Sequence, residues 1–264
     1  MASPTERLRI EITGPVASVK IDNPAKRNAF DLAMWQLLPQ LIARLDADPA
    51  IRAIILTSAP GLPFCAGADI SEFSTVRATA AGGRHYEAAN AAAFDALAAS
   101  ATPVIAAIGG YCLGGGMGLA AACDLRIAAS DAIFGIPAAR LGLGYPPSSM
   151  AYIVAAVGAQ AARDLFFTAR RIDAAEAQSL GFLARLVAPG ALESEAMALS
   201  QAIATNAPMT LHAAKAAIAL AARLPVAPSA QQCEALAALS FDSEDYAEGR
   251  RAFLEKRKPE FTGR

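Results

Sequence analysis

The sequence predicts an α/β fold with a helical C-terminal segment. Three observations carry that prediction. Short β-branched runs alternate with helical stretches in the middle of the chain, helical periodicity takes over beyond Leu141, and two glycine-rich turns stand where strands hand over to helices.

Residues 7–12 and 16–21 alternate apolar and polar side chains around Gly14-Pro15, which predicts a β-hairpin. Asp31 is placed to cap a helix whose apolar stripe runs through Met34, Trp35, Leu37, Leu38, Leu41, Ile42 and Leu45, with a bend expected at Pro39. Residues 51–57, 102–108 and 125–129 read as buried strands. Further helices are expected over 159–168, from a cap at Asp173 to a stop at Gly181, and over 192–205 and 209–220. The last strand-like piece is 183–187. Pro225 and Pro228 break the chain before a helix at 231–239. A final helix starts near Asp242 and Ser243, with Glu244 and Asp245 suited to the positive end of its dipole.

A chain of 264 residues can bury a large core, and one principal domain with a small appendage is the working expectation. A hydrophobic fraction of 55% against 18% charged residues predicts more buried surface than a monomer needs, hence a homo-oligomer. The formal charge of −1 and the lack of a long basic run argue against nucleic acid as a partner. The N-terminal segment, residues 1–10, has no apolar run behind Arg7 and Arg9, and apolar segments such as 91–99 fall short of a bilayer span. The expectation is therefore a cytoplasmic protein with no membrane partner. Cys65, Cys112, Cys123 and Cys233 form no Cys-x-x-Cys pair, and only His85 and His212 could join them, which predicts buried free thiols and no metal site.

The segment 102–124 runs from a strand through Gly109-Gly110-Tyr111-Cys112-Leu113-Gly114-Gly115-Gly116 into a short apolar helix. Such a turn lets backbone amides approach a ligand oxygen, while the helix dipole adds positive potential. A second turn, Pro63-Phe64-Cys65-Ala66-Gly67-Ala68-Asp69-Ile70, follows the 51–57 strand and presents an amide in the same way. Tight turns and close packing would also explain these glycines. Gly116-Met117-Gly118-Leu119-Ala120-Ala121 even fits a dinucleotide fingerprint, with Asp131 after the next strand, and so raises a nicotinamide-dependent dehydrogenase. The span from that fingerprint to Leu125 is too short for a crossover helix.

Taken together, residues 64–70, 106–116, Cys123-Asp124-Leu125-Arg126-Ile127-Ala128, residues 166–175 and Phe253-Leu254-Glu255-Lys256-Arg257-Lys258-Pro259 resemble the crotonase (enoyl-CoA hydratase/isomerase) superfamily from about Ile10 to the C-terminus. The resemblance implies a spiral of ββα turns over residues 1–200, carrying an acyl-CoA site, and a helical segment over 201–264 that builds trimers or dimers of trimers. It implies an oxyanion hole made by the amides of Ala68 and Gly115. It also implies CoA contacts at Lys26, Arg27, Ala66 and Ile70, with Phe253 and Lys256 reaching in from a neighbouring subunit. No cofactor beyond the CoA moiety of the substrate is implied.

The chain departs from the family pattern where the hydratases carry two glutamates, because Gly118 and Ala138 stand at those positions and neither can carry a proton. An oxyanion hole without its acid and base suits a lyase, such as a decarboxylase, or an isomerase. Tyr145 matches a tyrosine that positions the substrate carboxylate in methylmalonyl-CoA decarboxylases, which residues 241–259 also resemble, although those enzymes differ at the position of Ala68. Aromatic packing is the other reading of Tyr145. His85 and Glu87 fall where the family has a mobile helix over the acyl pocket, which makes either a candidate replacement base; surface placement is the plainer expectation for both. Arg140 is expected to be solvated and Asp124 structural. A non-catalytic acyl-CoA binding protein is the alternative from another functional class.

Overall fold

The computed structural model describes residues 4–264, so the start of the N-terminal segment, residues 1–3, lies outside the described residues. A short helix α1 (Pro4–Arg7) leads into β1 (Leu8–Thr13) and β2 (Val16–Ile21), which pair antiparallel. The turn between them needs Gly14, whose φ of 57° is left-handed. Asp31 caps α2 (Leu32–Asp46) by accepting from the Met34 amide at 2.9 Å, and the helix continues through Pro39.

From there strands and helices alternate: β3 (Ala53–Ser58), α3 (Ala80–Ala99), β4 (Val104–Ile108), β5 (Tyr111–Leu113), α4 (Gly115–Ala122), β6 (Leu125–Ala129), β7 (Ile133–Gly135), α5 (Pro147–Thr168), β8 (Arg171–Asp173), α6 (Ala174–Ser179) and β9 (Arg185–Val187). The main sheet has the order β1-β2-β3-β4-β6-β9, parallel from β2 onward, and a small sheet has the order β5-β7-β8. Helices cover the parallel strands on both faces, which is why they read as unbroken apolar runs. Ile54 and Leu56 of β3 face the main core with Phe30, Trp35 and Phe94. Ala53 and Ile55 point the other way, with Ile105 and Ile127, onto Ala196 and Leu199 of α7 (Leu192–Ala204).

Residue 200, the expected end of the spiral, therefore lies within a helix that packs on the sheet. Beyond it come α8 (Pro208–Ala221), α9 (Ala230–Phe241) and α10 (Glu244–Glu255), the last capped by Ser243 as its sequence suggested. Lys215 of α8 ties this segment to the core through Asp124 at 2.8 Å.

The apolar helix α5 is longer than the 159–168 stretch expected. By length and composition it could cross a membrane, in contrast to the short apolar segments expected. Gly158 (φ 76°, ψ 161°) breaks it into two pieces too short to span a bilayer, and Tyr152, Ile153, Ala162 and Leu165 are buried in the protein.

Candidate active site

The two glycine-rich turns are laced together by backbone hydrogen bonds. Phe64 N donates to Gly109 O (2.8 Å), Cys65 N to Tyr111 O (2.9 Å), and Leu113 N back to Cys65 O (2.9 Å). The first turn is also pinned to Phe30, whose amide donates to Gly67 O while its carbonyl accepts from Asp69 N, both at 2.8 Å. In a bridge of this kind the bonds on the Phe30 side come from Gly67 and Asp69. The amide of Ala68 between them therefore points the opposite way.

Gly115 opens α4, so its N–H is one of the amides that a helix start leaves without an intrahelical acceptor. Gly114 before it adopts φ 53°, ψ −117°, and is held by its own amide on Gly135 O at 2.8 Å. A Cβ placed on Gly67 would lie 3.0 Å from Leu113 O and 3.7 Å from Gly115 N, so the two turns touch at this point. Among the described residues, neither the Ala68 nor the Gly115 amide donates to an acceptor outside helices and strands. Two free donors at one spot, one of them at a helix N-terminus, can hold an oxyanion.

Tyr145 lies beside this pair. Its hydroxyl is 3.7 Å from where a Cβ on Gly114 would sit, and its ring packs edge-on against Phe166 at 5.0 Å, so it has both a packing role and a polar tip at the cleft. Burial pushes its hydroxyl well above the ordinary tyrosine range, so the group is a neutral donor at physiological pH.

Of the positions of the two missing glutamates, one is closed and the other is a buried alanine. A Cβ on Gly118 would sit 2.3 Å from Cζ of Phe94. Ala138, in the turn after β7, is 3% exposed. Packed across α4 at this point is α3, a helix the sequence signals weakly because Gly82 and Gly83 fall in its first turns; Thr79, its cap, is the available sign.

Glu87 is not the surface residue expected. It is half-buried, paired to Arg77 at 2.7 Å, and shares a cavity of about 650 Å³ with Arg77, Arg84, Gly144, Tyr145 and Ser148. Burial raises its carboxyl above the usual carboxylate range against the opposing pull of Arg77. His85 is exposed as expected and turns toward Gln36. Asn90, one turn further along α3, is 8% exposed, with Nδ2 3.5 Å from the Cβ position of Gly115. Tyr86 faces inward, donating to Phe30 O at 2.9 Å and accepting from Trp35 Nε1 at 3.0 Å, and so braces the strand segment that orients Ala68.

The residues named as CoA contacts divide into two groups. Lys26 reaches Ser71 Oγ (2.9 Å) and Asp69 (3.5 Å), Ala66 N donates to Arg27 O (3.2 Å), and Ile70 is 66% exposed beside them, so these four surround the first turn. Phe253 and Lys256 belong to α10 and its cap; Phe253, 83% exposed, lines a separate apolar cavity of about 760 Å³ with Ala213, Ala217, Phe241 and Tyr246.

Asp124 accepts from Val104 N at 2.7 Å as well as from Lys215, which gives it the structural role expected, and Arg140 is exposed. The dinucleotide fingerprint has a packing explanation. A Cβ on Gly116 would sit 2.6 Å from Cys65 O, and β5, the strand just before α4, pairs with β7 in the small sheet and not with β6, the strand that follows the helix. All four cysteines are buried free thiols, with Cys65 and Cys123 each pushed up to about 12, first by burial.

The family model for enoyl-CoA hydratase/isomerase matches residues 11–264. The chain is 36% identical over 249 residues to a Mycobacterium leprae protein named "Probable enoyl-CoA hydratase echA8", covering 94% of this chain and 95% of that one. It is 35% identical over 262 residues to the short-chain-enoyl-CoA hydratase of Clostridium acetobutylicum, covering 95% of each. The crystal structure of an enoyl-CoA hydratase/carnithine racemase from Magnetospirillum magneticum superposes with a TM-score of 0.92 at 35% identity, over 98% of this chain and 97% of that one. With its laced glycine turns and free amides, this chain belongs to the enoyl-CoA hydratase/isomerase family of the crotonase superfamily, whose members act on acyl-CoA.

Proposed function

We propose that this chain removes carbon dioxide from a malonyl-type CoA thioester and holds the resulting enolate oxygen on the amides of Ala68 and Gly115. The observation that carries this reading is that neither glutamate position holds a carboxylate, with Gly118 closed by the Phe94 ring and a buried alanine at 138, next to an open pair of amides. Hydration needs an acid and a base at those positions. Decarboxylation reaches an enolate by breaking a carbon–carbon bond, so no base has to start it. Each oxyanion donor is worth roughly 3 kcal/mol to such a transition state. The Tyr145 hydroxyl, neutral and directed at Gly114, is suited to orient the departing carboxylate.

Lys26, Arg27, Ala66 and Ile70 would hold the CoA, completed by Phe253 and Lys256 from another copy in a homo-oligomer. A second reading, isomerisation of an enoyl thioester, is favoured by one observation: Glu87 shares the Tyr145 cavity and could move a proton.

The deciding experiment is incubation with crotonyl-, malonyl-, methylmalonyl- and longer enoyl-CoA, followed by mass spectrometry. Loss of the mass of CO2 from a malonyl-type thioester supports the proposal. Gain of one water by an enoyl thioester overturns it in favour of hydration. An unchanged thioester that nevertheless binds moves the chain to the class of acyl-CoA carriers.

A further inference from the structure

We propose that Glu87 is the catalytic acid that protonates the α-carbon of the enolate, with Arg77 as the residue that positions it. The inference rests on the enolate reading above but not on decarboxylation as the way the enolate arises.

Glu87, Asn90 and Phe94 follow one another at helical spacing on one face of α3. Phe94 closes over Gly118, Asn90 stands at Gly115, and Glu87 lies about one turn, ~5 Å, nearer the N-terminus of α3, in the cavity shared with Tyr145. The face thus runs from apolar Phe94, past Asn90 at Gly115, to ionisable Glu87, and the Tyr145 hydroxyl at Gly114 links the Glu87 cavity to the oxyanion turn. Arg77 fixes the carboxyl in place. Its guanidinium lies over the rings of Phe73 and Tyr86 at 4.6 and 4.7 Å, its side chain is 9% exposed, and it takes Glu87 Oε1 at 2.7 Å. Among the described residues, no hydrogen bond is made to Oε2. The charged and titratable groups around Glu87 are Arg77, Arg84 and Tyr145, and its burial favours the protonated form an acid requires.

The step balances without a further reactant. The bond from the α-carbon to the substrate carboxylate breaks, CO2 leaves, and the electron pair enters the enolate held by Ala68 and Gly115. That pair then takes the proton from Glu87, forming the α-carbon–hydrogen bond, and the Glu87 carboxylate regains a proton from water at the cavity mouth.

By microscopic reversibility the same carboxylate removes an α-hydrogen from the product. The test is therefore exchange of the α-hydrogens of propionyl-CoA in D2O, followed by mass spectrometry. The wild type is expected to incorporate deuterium. Glu87→Gln is expected to lose at least ~100-fold in exchange rate while propionyl-CoA binding stays within about threefold, and Glu87→Asp to recover part of the rate. Arg77→Met is expected to move the exchange pH profile upward, and Arg77→Lys to bring it back. Unchanged exchange in Glu87→Gln, or none in the wild type, overturns the proposal. CO2 release from methylmalonyl-CoA is read separately. Glu87-dependent exchange without CO2 release would sink the decarboxylase reading and leave this one standing.

Discussion

The ring of Phe94 occupies the volume that any side chain on residue 118 would need, with Cζ 2.3 Å from the position of a Cβ there. Gly118→Glu is therefore expected to cost about 1–3 kcal/mol through overpacking and to produce no crotonyl-CoA hydration. Urea unfolding of Gly118→Glu, Phe94→Ala and the double variant checks this. The double variant is expected to lose less than the sum of the single losses, because the two changes compete for one space.

Tyr145 joins a packed ring to a hydroxyl at the cleft. Tyr145→Phe keeps the contact with Phe166 and removes only the donor. CO2 release is expected to fall by about 10–100-fold with thioester binding and melting temperature nearly unchanged. Since burial raises the hydroxyl, the wild-type rate profile is expected to show no tyrosine ionisation below about pH 10. A Tyr145→Phe variant with wild-type turnover would restrict this residue to packing.

Asp46 ends α2 and binds the approach to β4, accepting from Thr102 N (2.7 Å), Ala101 N (3.1 Å) and Ser100 Oγ (2.9 Å). Burial pushes its carboxyl up, but the Thr102 and Ala101 amides and the two hydroxyls outweigh this and hold it below the usual value. A carboxyl lowered in the folded state stabilises the protein above its unfolded pKa, and that stability is lost as pH falls through the folded value. Asp46→Asn is expected to be about 1 kcal/mol less stable at pH 7. Denaturant titrations should show the gap narrowing once pH drops past about 4.

Phe253 and Leu254 expose 83% and 80% of their surface on α10, beside the apolar cavity between the C-terminal helices. Phe253→Asp is expected to lower the molecular mass measured by light scattering to that of one chain and to weaken thioester binding by about tenfold or more. A monomeric wild type would remove the basis for a CoA contact from a second subunit.

Much of the architecture was legible locally. Alternation around Gly14-Pro15 indicated the first hairpin, and the apolar runs at β3, β4 and β6 indicated strands buried on both faces. Asp31, Asp173 and Ser243 marked helix starts, because a capping side chain bonds an amide only a few residues away. The two turns that carry Ala68 and Gly115 were legible as glycine patterns for the same reason.

What the tertiary structure alone decided depends on residues far apart in the chain. The short strands β5, β7 and β8 have too few residues for a periodic signal and exist through their pairing with one another. The sequence showed that Gly118 and Ala138 carry no carboxylate, but not that Phe94 fills the first space or that Glu87 turns from the expected surface into the cavity of Tyr145. Those outcomes follow from how α3 packs across α4 and from the grip of Arg77. Spacing along a single helix shows which residues share a face, and only packing against other elements determines what that face meets.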